Sequence, residues 1–271
     1  YVSSFEKHMN VDGIHEYLEE LNKNTFAKYD IMTVGEANGV DASESEMWVG
    51  EENGKFNIDS FQKKSAELLA KQESLVIILN TPAHNPTGYS LTLEDWDHVI
   101  AVLQEEAKCG KAIALVIDAA YIDFAGDEEE YRRFLPKLEA LPENVLPIMA
   151  YSLSKTYTLY GTRCGAMICI AKTKEIADEF KRVCEYSSRG SWSNSAKVAQ
   201  VILSRIYGEP GLLERVDKER AHYREMLIKR GRAFEEEAKK VGLKIVPFDA
   251  GFFISIPCSD PDAISAKLEK E

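Results

Sequence analysis

Four short polar clusters stand out in the chain, each at the end of an apolar run. The first is Asn80-Thr81-Pro82-Ala83-His84-Asn85-Pro86-Thr87-Gly88, where a proline and glycine turn holds Asn85 at the edge of the segment before it. The second, Asp118-Ala119-Ala120-Tyr121, puts an acid at the last position of an apolar run and a phenol three residues later. In Tyr151-Ser152-Leu153-Ser154-Lys155 one lysine follows a third run beside two hydroxyls. Gly161-Thr162-Arg163-Cys164-Gly165 then sets an arginine between two glycines, eight residues after that lysine. A lysine so placed can act as nucleophile and base, and an arginine presents a planar fork suited to phosphate. Taken singly, each has an ordinary explanation: a strand-end aspartate caps a helix, a lysine is solvated, and Asn-Pro-Thr-Gly is a turn. Together they form a set that a single cofactor would explain.

The elements that must position these groups are legible in the hydrophobic pattern. Ser74 to Asn80, Ala112 to Asp118, Val145 to Ala150 and Gly165 to Ala171 read as strands, and such unbroken runs belong to strands covered on both faces. Ser60 to Gln72 is helical by the spacing of Phe61, Leu68 and Leu69. Leu93 to Lys108 is helical too, with Thr92 as cap and Trp96, Ile100 and Leu103 on one face. Strands alternating with helices of this length predict an α/β fold with a mainly parallel sheet wrapped by helices. Open parallel sheets bind their ligands at the strand ends, where the four clusters lie. Asp178 to Tyr186 and Ser193 to Ile206 read as helices, and Leu212 to Val241 as one long helix. Lys244 to Phe248 and Gly251 to Pro257 read as strands, followed by a helix from Asp260 to Lys270. His98 and His222 fall on helical patterns as surface residues, whereas His84 either touches the Asn85 cluster or serves as a packed or capping histidine.

Composition narrows the partners. The 271 residues are 45% hydrophobic and 29% charged, which predicts a soluble globular chain with a substantial core. With 45 acidic and 33 basic residues the net charge is −12, which works against nucleic acid and anionic membrane surfaces as partners. No apolar run approaches the ~20 residues of a membrane helix, and the chain reads as cytoplasmic. The five cysteines, Cys109, Cys164, Cys169, Cys184 and Cys258, include no CxxC pair, so neither a disulfide framework nor a metal site is indicated. Reduced thiols, mostly in the core, are expected.

From about Asp59 to the end, the four motifs in this order resemble the signature of fold-type I pyridoxal-phosphate enzymes, above all aspartate and aromatic-amino-acid aminotransferases. The resemblance implies pyridoxal 5'-phosphate as cofactor, with Lys155 forming the internal aldimine and then shuttling the proton between Cα and the cofactor. It further implies that Asp118 pairs with the pyridinium nitrogen, that Asn85 and Tyr121 hydrogen-bond the phenolic oxygen, and that Ser152 and Arg163 hold the phosphate. These roles make physical sense, since a carboxylate against the ring nitrogen keeps it protonated and ready to accept electrons. Arg189, thirty-four residues after the lysine, resembles the arginine with which dicarboxylate-using members reach into a neighbouring subunit's site. The implied reaction is transamination between an aromatic or dicarboxylic amino acid and a 2-oxo acid, in a homodimer. Three family features are missing from this sequence: the upstream phosphate loop, the upstream aromatic residue that stacks on the cofactor ring, and the downstream arginine for the α-carboxylate. An incomplete major domain and the start of a smaller α+β domain are therefore expected.

The N-terminal stretch has another character: an acidic amphipathic helix over Val11 to Phe26, an apolar segment Asp30 to Val34, and a loop rich in glycine, asparagine and acids. Ile14-His15-Glu16-Tyr17-Leu18 and Tyr29-Asp30-Ile31-Met32-Thr33-Val34-Gly35-Glu36 resemble α-glucosidases and oligo-1,6-glucosidases of the α-amylase superfamily. That resemblance implies Glu36 as acid/base, but glycoside hydrolysis needs a second carboxylate, whose strand is absent. The expected organisation is a glucosidase-like segment at 1–57, a cofactor-binding core at 58–210, and a linking helix with the start of a small domain at 211–271. The alternatives to transamination are a glycoside hydrolase acting through Glu36 and a catalytically incomplete chimera that only binds ligand. Fragments of two folds leave apolar faces without their natural cover, which predicts an exposed patch, a partner chain or poor solubility.

Overall fold

The computed structural model describes residues 55–127 and 129–257, together with Ile264 and Lys267. Helix α1 (Ile58–Lys71) starts where the Asn57 side chain accepts from the Ser60 amide, and carries Asp59 in its first turn and Lys71 in its last, as the helix dipole favours. Strand β1 (Ser74–Asn80) leads through the Asn85 turn to α2 (Leu93–Glu106). A capping box opens α2: Thr92 Oγ1 accepts from the Asp95 amide while the Asp95 carboxylate accepts from the Thr92 amide. Strands β2 (Ala112–Asp118) and β3 (Val145–Ser152) follow, then the four-residue helix α3 (Leu153–Thr156) and β4 (Gly165–Cys169). Helices α4 (Lys174–Ser191), α5 (Lys197–Gly208) and α6 (Leu212–Val241) complete the order.

The sheet has the order β1-β2-β3-β4, with the first three strands parallel and β4 antiparallel to β3. This is the mainly parallel α/β architecture expected from the sequence. The core lies on one face, where Leu75, Leu79, Ile113, Leu115 and Ile117 are buried against Trp96, Val99 and Leu103 of α2. Trp96 stacks flat on Phe134, with ring centroids 4.4 Å apart and planes at 5°.

The opposite face departs from expectation. Val76 and Ile78 are 46% and 36% exposed and Met167 is 58% exposed, so the sheet is buried on one face and open on the other. Apolar side chains on both sides of a strand erase the alternation that would tell a covered face from an open one. Helix α4 likewise has no buried residue, and its Val183 and Tyr186 are exposed. Apolar side chains on β1, β4 and α4 are thus exposed among the described residues.

After α6 the chain runs as coil rather than as two strands. Val246 N–H does donate to the Ser255 carbonyl at 2.9 Å, but the stretch 248–250 turns to the Gly88 carbonyl instead, and Gly251 turns at φ +96°. This coil is anchored by Phe248. A Cβ at Gly88, where φ is +76°, would lie 2.4 Å from Cδ2 of that ring, and a Cβ at Gly231 of α6 would lie 2.1 Å from its Cε1. Both glycines therefore provide room for one aromatic ring, and the Gly88 carbonyl accepts from the amides of Asp249 and Ala250. The four described cysteines are free, but Cys109 is exposed and Cys164, Cys169 and Cys184 are half-buried, which corrects the expectation of core thiols. Cys258 and the helices expected at Val11 to Phe26 and Asp260 to Lys270 lie outside the described residues, apart from Ile264 and Lys267, which are helical. No helix among the described residues is long and apolar enough to cross a membrane.

Leu115 is fully buried at the centre of the covered face. Leu115→Ala is expected to lower stability by about 2–5 kcal/mol, whereas Val76→Ala on the open face should cost no more than about 1 kcal/mol. Urea unfolding checks both, and equal losses at the two positions would contradict the one-sided core.

Candidate functional site

Parallel strands end on the same side of a sheet, and here they also end in register. Asn80 pairs with Asp118 across β1 and β2, and Asp118 with Ala150 across β2 and β3. The Asn80 Nδ2 donates to Asp118 Oδ2 at 2.7 Å, and its Oδ1 accepts from the Asn85 amide at 2.9 Å. Asn80 thus links two predicted site residues, a role that sequence reasoning missed. The signal was present, since Asn80 closes its apolar run as Asp118 closes the next.

The loops after β1 and β2 complete the cluster. Asp118 Oδ1 accepts from the Ala120 amide at 3.2 Å, which turns the chain toward Tyr121. The Asn85 Nδ2 donates to the Tyr121 hydroxyl at 3.4 Å. Tyr121 is buried, packed by Ala83 and Ala125 and edged by Phe252 and Phe253. The Lys155 Nζ stands over two aromatic rings, 5.1 Å from the centroid of Tyr121 and 4.6 Å from that of Tyr160. Asn85, Asp118, Tyr121 and Lys155 therefore form one contiguous group, joined by Asn80 and Tyr160.

The other predicted residues sit differently. Ser152 closes β3 and is half-buried, directly before the helix that carries Lys155. Arg163 is exposed with φ +48°, and its Nη1 donates to the Tyr160 carbonyl at 3.1 Å within its own loop. Arg189 belongs to the last turn of α4 rather than to a loop, is exposed, and donates to Ser193 Oγ. Glu36 lies outside the described residues. His98 and His222 are exposed, as expected. His84 is half-buried, with Nδ1 2.8 Å from Thr87 Oγ1. A cavity of about 750 Å³ opens elsewhere, between α1 and the start of α2, lined among others by Phe56, Trp96 and Arg133 but by none of the four clustered residues.

Electrostatics follow burial. Desolvation lowers the pKa of His84 below the ordinary histidine value, and the charge of Asp118 opposes this only in part. The Tyr151 phenol is pushed up by burial first and then by the nearby Asp123 carboxylate.

Comparison with known proteins bears on the family and the fold. The model of the family described as aminotransferase class I and II matches residues 37–271. A solved aminotransferase from Anaerococcus prevotii superposes with a TM-score of 0.78 at 37% identity, covering 81% of this chain and 54% of that one. An aromatic-amino-acid aminotransferase from Burkholderia pseudomallei, solved covalently bound to pyridoxal phosphate, gives a TM-score of 0.63 at 21% identity, covering 75% of this chain and 50% of that one. A separate match, 60% identical over 58 residues, is to the probable oligo-1,6-glucosidase 3 of Bacillus subtilis and covers 21% of this chain and 10% of that protein. The chain thus spans about half the length of the two solved relatives and a tenth of the glucosidase.

The lowered pKa of His84 has a consequence for stability. At pH values below the unfolded value of about 6.5, the unfolded chain takes up a proton that the folded His84 does not, so stability falls as pH drops through that range. His84→Gln should flatten the dependence of the urea midpoint between about pH 7 and pH 5. Identical pH slopes for the wild type and the variant would show that His84 does not contribute.

Proposed function

The chain belongs to the class I and II aminotransferase family, and from that premise we propose that it binds pyridoxal phosphate at the ends of β1–β3 and transfers an amino group between an amino acid and a 2-oxo acid. The observation that carries this reading is the single cluster of Lys155, Tyr121, Asn85 and Asp118, held by the Asn80 hydrogen bonds and the ring contacts of the lysine.

The residues suit the group. An ionised carboxylate has about four acceptor positions, and Asp118 uses one on Asn80 and one on the Ala120 amide, leaving capacity for a ring N–H. In this reading Asp118 holds a proton at the ring nitrogen, Asn85 and Tyr121 hydrogen-bond the phenolic oxygen, and Ser152 and Arg163 hold the phosphate. Pyridoxal phosphate, when bound, supplies an electron sink for the pair released when the amino acid loses its Cα proton. Lys155 is the amine that secures the cofactor and moves the Cα proton, and Tyr121 beside it is edged by the Phe252 and Phe253 rings. Arg189 is assigned to the distal carboxylate of a dicarboxylic substrate in a neighbouring subunit's site. With the function go a homodimer, a cytoplasmic location, a cofactor-binding core at 58–210 and a linking helix with the start of a smaller domain at 211–271. The glycosidase alternative is not favoured, because its match covers a tenth of that relative.

Pyridoxal phosphate added to the purified chain should produce a visible absorption band that Lys155→Ala abolishes. Formation of 2-oxo acid from an aromatic or dicarboxylic amino acid should fall by roughly 10²–10⁴ in the same variant. A band of wild-type intensity in Lys155→Ala, or none in the wild type, would overturn the cofactor assignment. A band without amino transfer would reduce the function to ligand binding.

A further inference from the structure

We propose that Asp123 is the positioning residue that holds Lys155 in place relative to the Asp118–Tyr121 arm, an inference that rests on the cofactor role assigned to Lys155. The helix bearing Lys155 has four residues. One turn of helix fixes several dihedrals for very few hydrogen bonds and does not maintain itself. The direction of the lysine must therefore be imposed from outside α3.

Asp123 supplies that constraint. It lies in the 3₁₀ turn Ile122–Phe124, immediately after Tyr121, and its side chain is 3% exposed. Its Oδ2 accepts from Tyr151 Oη and from Thr156 Oγ1, each at 2.7 Å. These two residues bracket Lys155, one at the end of β3 and the other directly after the lysine. Oδ1 accepts from Arg132 Nη2 at 2.6 Å. On α6, burial works against the charge of Arg220, and Asp123 is the first of several groups, Asp217, Tyr151 and Tyr157 among them, that favour it. A buried carboxylate is costly unless paired and hydrogen-bonded, and this one is met from β3, α3, α6 and the 3₁₀ turn Glu130–Arg132. Its hydroxyl contacts join the arm that carries Asp118 and Tyr121 to the arm that carries Lys155, so it sets the separation of the two. Asp123 acts on Lys155 through Thr156 and Tyr151.

The test reads the lysine with and without cofactor. Wild type and Asp123→Ala are methylated with formaldehyde and cyanoborohydride, and separately treated with pyridoxal phosphate and borohydride. Peptide mass spectrometry then compares Lys155 with the exposed Lys71 and Lys181. The variant should methylate Lys155 about fivefold faster, the factor that loss of one hydrogen bond allows, while incorporating pyridoxal phosphate there about fivefold less and leaving the reference lysines unchanged. A merely structural role would lower the thermal midpoint without separating Lys155 from the other two. Where Asp123→Ala does not fold, the Tyr151→Phe and Thr156→Val pair removes the same two hydrogen bonds and leaves the Arg132 contact, and the same outcomes apply. Lys155 methylation at the wild-type rate in a folded variant overturns the positioning role. Absence of pyridoxal phosphate at Lys155 in the wild type instead overturns the cofactor reading, and the methylation arm still decides whether Asp123 constrains the lysine.

Discussion

Two neighbouring strands that run the same way and stop at the same level place their last side chains together at one edge. In this chain those side chains are Asn80 and Asp118, paired in register and hydrogen-bonded at 2.7 Å. A slip of one residue between β1 and β2 would send one of them to the opposite face, since side chains alternate along a strand. The buried row of Leu75, Leu79, Ile113, Leu115 and Ile117 prevents that slip, because the same shift would expose it. The apolar core and the polar site are thus set by one register, the first stabilising it and the second using it.

The residues that complete the cluster arrive from outside the sheet. Tyr121 is walled by Phe252 and Phe253, which come from the coil beyond the longest helix, and Lys155 stands on a helix too short to orient itself. Positions near the sheet are therefore governed by pairing, and those farther out by side chains from distant parts of the chain. The open face adds a second contrast. Val76 and Ile78 alternate along one strand with the buried Leu75, Ile77 and Leu79, yet are exposed.

Much of this was legible from sequence, for identifiable reasons. The four strands and most helices followed from apolar runs and spacing, and Thr92 was recognisable as a cap because its oxygen meets the amide three residues on. Asn85, Asp118, Tyr121 and Lys155 could be singled out because each ends or follows a strand. The open face could not be read, since apolar residues on both sides of a strand give no sign of which side lacks cover. Nor could the strands expected at Lys244 to Phe248 and Gly251 to Pro257 be rejected, because their composition suits strands and only the three-dimensional path shows them as coil. Asp123 was invisible for another reason: its hydroxyl partners lie 28 and 33 residues away, beyond any local pattern.

Phe248 occupies a slot whose two sides are glycines from remote parts of the chain, one in the turn after β1 and one in the middle of α6. Three positions that never meet along the sequence therefore share a single volume, and a methyl group gained at 231 must be matched by atoms given up by the ring. A smaller side chain at 248 should be the background on which alanine at 231 first becomes tolerable, whereas position 88 stays glycine in any background, because its φ of +76° and the Phe253 carbonyl, 2.5 Å from where a Cβ would stand, exclude a side chain whatever the ring does.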